Sequence, residues 1–318
     1  MTEERIHLEV PAELGGHRLD QALAELLPDH SRSRIQQWVR LGRVWVDGKT
    51  LRPRDKLLGG EQVQLEPLFE AEETSRPQPM GLNILYEDEA ILVIDKPVGL
   101  VVHPAAGNPD GTLLNGLLHH DPALARVARA GIVHRIDKET SGLLVVARSP
   151  EAHTHLVAQL QAREIHREYR AIAQGQIIAG GSIDQPMGRH PSQRKRMAVL
   201  PNGKPAITHY RLLERFRAHS YLQVKLETGR THQIRVHMAH IRHPLLGDPV
   251  YGGRLKLPGG ASPELIEQLR GFRRQALHAF QLGLAHPFSG DWLEWQSPIP
   301  ADMQHLLETL RADSQLDR

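Results

Sequence analysis

The stretch "GIVHRIDKETSGLLVVARS", Gly131 to Ser149, runs apolar, then charged, then apolar again. Its outer parts are rich in Ile, Val and Leu, residues that suit a pleated, buried strand. Between them lie His134-Arg135-Ile136-Asp137-Lys138 and Thr140-Ser141-Gly142. Short polar residues next to Gly favour a tight turn. The stretch therefore predicts two strand-like runs joined by a turn, with one carboxylate, Asp137, between two cations. An exposed salt-bridged turn is one reading of that arrangement. The other is a carboxylate kept for chemistry, since a neighbouring cation favours its ionised form. Such a group can attack an electrophilic carbon or take a proton.

Further strand-like runs extend on both sides, at residues 83–86, 90–95, 167–173, 206–215, 221–227, 276–286 and 292–296. Several alternate apolar with polar, as "YLQVKLE" does from Tyr221, the pattern of antiparallel strands with one wet face. Helices are predicted where Ser149-Pro150-Glu151 supplies a cap and a first-turn proline, over Thr231 to Ile241, and over Ala301 to Ala312. Strands and helices that mix without regular βαβ alternation imply an α+β fold with a mixed, mainly antiparallel sheet and flanking helices.

Residues 14–66 read as a separate small domain. "RLDQALAELLP" places leucines at helical spacing, and "SRSRIQQWVRLG" has a serine cap, one apolar face and a terminating Gly42. "RVWVDGKTL" alternates like a strand, with Asp47-Gly48 as a tight turn, and "EQVQLEP" is a further short strand. The acidic, proline-containing stretch at 67–80 is read as a linker, and 81–313 as the larger domain. Within 14–60 there are nine Lys/Arg against five acids. Four of the cations (Arg32, Arg34, Arg40 and Arg43) lie in or beside one short helix, where phosphate could also meet the helix amides. A second basic block, Arg189, Arg194, Lys195 and Arg196, belongs to a run from 189 to 217 with eight Lys/Arg and one acid. It contains Pro191 and reads as an exposed loop that clamps RNA.

The 318 residues carry a net charge of only +2, so a polyanion partner has to be met by local clusters such as these. There is no cysteine, which excludes disulfides, thiolate nucleophiles and Cys-based zinc sites. The first residues lack a signal-peptide core, and apolar runs such as Ala90 to Ile94 are too short to span a bilayer. A soluble cytoplasmic protein without membrane contact is expected. His237, His240 and His243 at three-residue spacing have no carboxylate among them, so no metal is expected there.

Two resemblances follow from these motifs. Residues 18–63 resemble an S4 RNA-binding domain, which implies RNA contacts from Ser31, Arg32, Arg34, Gln37 and Arg43, with Trp38 in the core. "HRIDKETSGLLVVA" is similar to the signature of the RluA-type pseudouridine synthases, with Ile136 where Leu is usual. "DKPVGLVVHPAAGNPDGTLLNGLL", "REYRAIAQG" and "LETGRTHQIRVHMAHIRHPLLGDPVYGG" resemble further blocks of that family, in the family's order. The resemblance implies cofactor-free isomerisation of uridine to pseudouridine within RNA. It assigns Asp137 as the catalytic carboxylate and Arg135 to the space left by the flipped uridine. Tyr169 would stack on the uracil, Arg235 would pair with Asp137, and Arg230 would be a second cation that contacts phosphate. Members closest in pattern act on large-subunit (23S) ribosomal RNA. That RNA or a pre-ribosomal particle is the expected partner of a monomeric enzyme. The alternative is a catalytically silent RNA-binding ribosome-assembly factor.

Overall fold

The computed structural model describes residues 5–27, 32–67, 75–105, 107–193 and 195–316, except for the side chains of Ser33 and Arg34. Ser31, Arg194 and half of the stretch read as a linker, residues 68–74, lie outside them. The chain divides into two compact units, Met1–Thr74 and Ser75–Arg318.

In the first unit, β1 (Ile6–Glu9) precedes α1 (Leu19–Leu26), α2 (Arg32–Arg40), β2 (Val44–Val46) and β3 (Gln62–Leu65). The strands form an antiparallel sheet in the order β1-β3-β2, so residues ahead of position 14 complete it. Leu19, Ala22 and Leu23 of α1 pack with Ile35, Trp38 and Val39 of α2 and with Val44, Val63 and Leu65 of the sheet. Trp38 is thus in the core, as expected. Gly42, at φ 72°, ends α2 in a conformation that needs no Cβ. Asp20 is fully buried and accepts hydrogen bonds from Arg18, Arg32 and Gln36, which ties α1 to α2.

The second unit is built on β4 (Ile84–Glu87), β5 (Ile91–Lys96), α3 (Leu113–His120), β6 (Ser141–Ala147), α4 (Pro150–Ala162) and β7 (His166–Gln174). There follow β8 (Gly181–Asp184), β9 (Met187–Arg189), β10 (Met197–Val199), β11 (Ile207–Arg215), β12 (His219–Leu226) and α5 (Gln233–His240). Last come α6 (Pro263–Gly271), β13 (Leu277–Ala285), β14 (Trp292–Gln296) and α7 (Ala301–Gln315). Nine strands make one sheet in the order β4-β5-β6-β13-β7-β12-β11-β8, with β14 on β13. Every pairing is antiparallel except β6 with β13. The mixed, mainly antiparallel sheet and its helices are the expected α+β arrangement.

Two expectations are corrected. Gly131 to Val133 is not a strand: Ile132 makes a single bridge to Val146. Gly131 is at φ 79° against the Ala147 carbonyl, an approach no Cβ could share. The basic stretch read as a loop is one only in part: Arg189 ends β9, paired to Met197 of β10, while Lys195 and Arg196 lie in the connection between the two strands. No helix of the described residues is long and apolar enough to cross a membrane.

Candidate active site

Asp137 occupies a turn closed by the Thr140 N–H donating to its own carbonyl (3.0 Å). The turn is held from both sides. Fully buried Lys96 donates through Nζ to the carbonyls of Pro97, Leu100 and Lys138. From the other side, Gln275 donates to Thr140 Oγ1 and Arg274 to the Glu139 carbonyl. Burial pushes the Lys96 ammonium down to about 8, with Glu139 and Asp137 opposing. Immediately after the turn, Gly142 at φ 107° lets β6 approach the Ala279 backbone of β13.

The carboxylate faces α5. Arg235 donates from Nη1 to Asp137 Oδ2 at 2.9 Å, as the resemblance implied. Its other edge is fixed by Asp248, with Nε to Oδ2 at 2.7 Å and Nη2 to Oδ1 at 2.9 Å. Asp248 also accepts the backbone N–H groups of Val250 and Tyr251, which fixes its own position. Burial works against charge on both partners. The bidentate pair outweighs it, raising Arg235 and holding Asp248 below the ordinary carboxylate value. Among the described residues the cation paired with Asp137 is Arg235; the sequence neighbours Arg135 and Lys138 do not pair with it. Arg135 is exposed.

His232 lies with Nε2 at 3.8 Å from Asp137 Oδ1. It caps α5 in a left-handed conformation, φ 58°, that non-glycine residues adopt sparingly. Tyr251 Oη accepts the Met197 N–H and lies 2.8 Å from His232 Nδ1. A phenol hydrogen donated to Nδ1 would set the imidazole proton on Nε2, toward Asp137. Burial keeps His232 below its ordinary value, with Asp137 opposing, so the ring is neutral at pH 7.

Tyr169 is 6% exposed on β7, opposite Val224 of β12 and Ala279 of β13. Burial pushes its phenol up, so it is neutral throughout the physiological range. His232, Asp248, Tyr251 and Lys96 were missed in the sequence reading. The signal for Asp248 and Tyr251 was "GDPVYGG", already quoted within a longer block but not parsed.

The other sequence-predicted residues scatter. Arg230 is exposed, with Nε donating to the Pro205 carbonyl. Arg189 and Lys195 are exposed on the β9–β10 hairpin, and Arg196 lies over the Tyr251 ring at 5.2 Å. In the first unit Arg32 is exposed yet bonded to Asp20, Gln37 is exposed, and Arg43 lies 3.8 Å from Glu66. Ser141 Oγ is 2.9 Å from His278 Nδ1, but His278 Nε2 meets the buried Ser297 carbonyl and no carboxylate, so no triad forms. His237 bonds Thr208 and the Gln185 carbonyl, while His243 lies beyond α5 and bonds the Gln174 carbonyl. Among the described residues no His/Asp/Glu group could hold a metal ion.

The chain matches the family described as RNA pseudouridylate synthase over residues 90–240, and the S4 domain over 17–63. It is 61% identical to a Pseudomonas aeruginosa protein named ribosomal large subunit pseudouridine synthase D, over 96% of this chain and 95% of that one. It is 60% identical to the Escherichia coli K12 protein of the same name, over 94% and 92%. Among solved structures, human RNA pseudouridylate synthase domain containing 4 is similar at TM-score 0.55 and 25% identity. That match covers 72% of this chain and 93% of the human one.

Proposed function

This chain belongs to the RNA pseudouridylate synthase family, and from that membership we propose that it isomerises uridines of large-subunit ribosomal RNA through Asp137. The observation that carries the assignment is the Asp248–Arg235–Asp137 array, in which one guanidinium joins two carboxylates 111 positions apart. Arg235 occupies Oδ2 and aims the group, which leaves Oδ1 as the reacting oxygen. The target uridine is unstacked and stacked on Tyr169, with Arg135 filling the space it leaves. Extruding a base costs a few kcal/mol, which contacts of this kind offset. Asp137 then either attacks C1′ or removes a sugar proton, and both routes need it anionic. The N1–C1′ bond breaks, the uracil turns, C5 joins C1′, and the proton leaves C5 while N1 takes one up. Nothing is oxidised or reduced.

Arg32, Gln37 and Arg43, with Ser31 and Arg34, are the proposed RNA contacts of the first unit. Arg189, Arg194, Lys195, Arg196 and Arg230 are those of the second, in a monomer. Affinity carried by such phosphate contacts falls steeply with salt.

The test is tritium release from large-subunit RNA labelled at uridine C5. Wild type should release tritium with or without EDTA. Asp137→Asn, near-isosteric but unable to act as a carboxylate, should bind the RNA and release none. Release by the variant at the wild-type rate would refute the role of Asp137, and no release by wild type would refute the substrate.

A further inference from the structure

Two residues before Tyr169 on β7 stands a cation that the mechanism does not use. Side chains at i and i+2 of a strand share a face, so Arg167 projects from the same face as Tyr169, about 7 Å along the strand at the usual rise. Its charge reaches that site: it opposes the upward shift of Tyr169 and adds to the depression of His134.

Arg167 lines a cavity of about 260 Å³ together with Arg163, Lys225, Glu168 and Glu227, over Ile165 and Leu226. The charges in this wall are not evenly matched. Arg163 donates to Glu227 at 2.9 Å, and Lys225 lies 3.6 Å from Glu168, which Arg170 and Gln223 also bond. Both acids are therefore satisfied, and Arg167 forms no ion pair among the described residues. Its Nε is shielded from solvent with no acceptor. A buried donor without an acceptor is uncommon and calls for an explanation. Its Nη1 lies over Gly229, where a Cβ would come within 2.7 Å. A residue without a side chain is what makes room for the guanidinium there, in the turn that leads into α5.

A guanidinium without a carboxylate partner among the described residues, lining a cavity beside Lys225 and Arg163 and one strand period from the base-stacking tyrosine, suits a phosphodiester. We propose that Arg167 binds a backbone phosphate of the RNA strand next to the flipped uridine, and that the cavity beside it receives that neighbouring nucleotide. The inference rests on the RNA-isomerase reading above and adds a second anchoring point to it. By holding the strand where it enters, Arg167 fixes the direction from which the uridine reaches Tyr169.

The experiment measures RNA affinity against salt, thermal stability and single-turnover isomerisation for wild type, Arg167→Gln, Arg167→Lys and Gly229→Ala. Loss of one phosphate contact should lower the slope of log K against log salt by about one. Arg167→Gln should show that decrease and bind roughly tenfold more weakly at low salt, at wild-type stability. Arg167→Lys should restore the slope but not the full affinity, because it keeps the charge and loses the fork. Gly229→Ala keeps the charge and displaces the fork, so it should resemble Arg167→Lys. An unchanged slope in Arg167→Gln overturns the proposal, as does weakened binding that merely tracks lost thermal stability. If wild type binds RNA with the expected slope but isomerises nothing, the reaction assigned above fails while the phosphate contact stands.

Discussion

Arg235 is shared between two carboxylates, and its bidentate pair with Asp248 sets the direction in which it meets Asp137. Asp248 takes two of the guanidinium donors in a bidentate pair and is itself held by two backbone amides, so only Nη1 is left for Asp137. Asp248→Asn would replace one accepting oxygen with an amide donor facing the guanidinium. Breaking a buried pair on one side costs about 3 kcal/mol or more, and urea unfolding should show a loss of that order. Arg235 would then swing toward Asp137, and single-turnover isomerisation should fall at least tenfold while RNA affinity changes little. An equal loss in affinity and rate would mean that Asp248 supports the RNA surface instead. None of this pairing is visible near Asp137 in the chain. The neighbours Arg135 and Lys138 looked like its partners because sequence adjacency was the only distance available. The actual partner is 98 positions away and came into view only through the family resemblance.

Elements were legible where their local signals were complete. Ser149-Pro150-Glu151 announced α4, and the Ser149 hydroxyl does accept from the Ala152 N–H. The same triplet recurs at Ser262-Pro263-Glu264, where Ser262 caps α6, yet that helix went unread. Only Leu265 and Leu269 of α6 are buried, which is too short an apolar stripe to declare a period. The helix α3 was hidden for another reason. Gly116 interrupts it, and a glycine inside a helix argues against one. The structure supplies the compensation: Met80 packs where a Cβ would sit, at 2.4 Å, and Thr112 with Asn115 forms a capping box. Gly142 is the corresponding constraint in the sheet. It stands at φ 107°, and a Cβ would lie 2.2 Å from the Ala279 carbonyl, at the one parallel contact of the sheet. Gly142→Ala combines left-handed strain with overpacking, each about 1 to 3 kcal/mol. Thermal unfolding should register a loss of about 4 kcal/mol. Isomerisation should fall with it, because Gly142 begins five residues after Asp137. A variant of wild-type stability would mean that β6 can withdraw from β13 without consequence.

Over the whole molecule, histidines set the acid limit of the fold. Burial, joined by Arg129 and Arg135, lowers His103 to about 4. Burial, joined by Arg167, lowers His134 to about 3. His219 is lowered to about 4 by burial, with Asp313 opposing. His134 is held neutral in a working role, since its Nε2 accepts the Val145 N–H of β6 and protonation would turn that acceptor into a donor. In the unfolded chain each ring titrates near 6.5. Between 6.5 and about 4 the unfolded state therefore binds more protons than the folded one, and stability falls as pH falls through that window. One pH unit of difference is worth about 1.4 kcal/mol per group, so the three rings together withdraw several kcal/mol. The carboxylates Glu168, Asp248 and Asp302 are held below their ordinary values in the fold and act in the same direction, but lower. Their contribution is present above about 4.5 and lost only beneath it, so the two sets separate by pH. Urea midpoints measured at pH 7, 6, 5.5 and 5 should decline steadily before carboxylates enter. Replacing His219 with Asn should flatten part of that decline, because the ring is 2% exposed and its Nδ1 has no hydrogen-bond partner among the described residues. A midpoint that stays level from pH 7 to 5 would mean that these rings take up protons in the folded state after all, through local opening around β6 and β12.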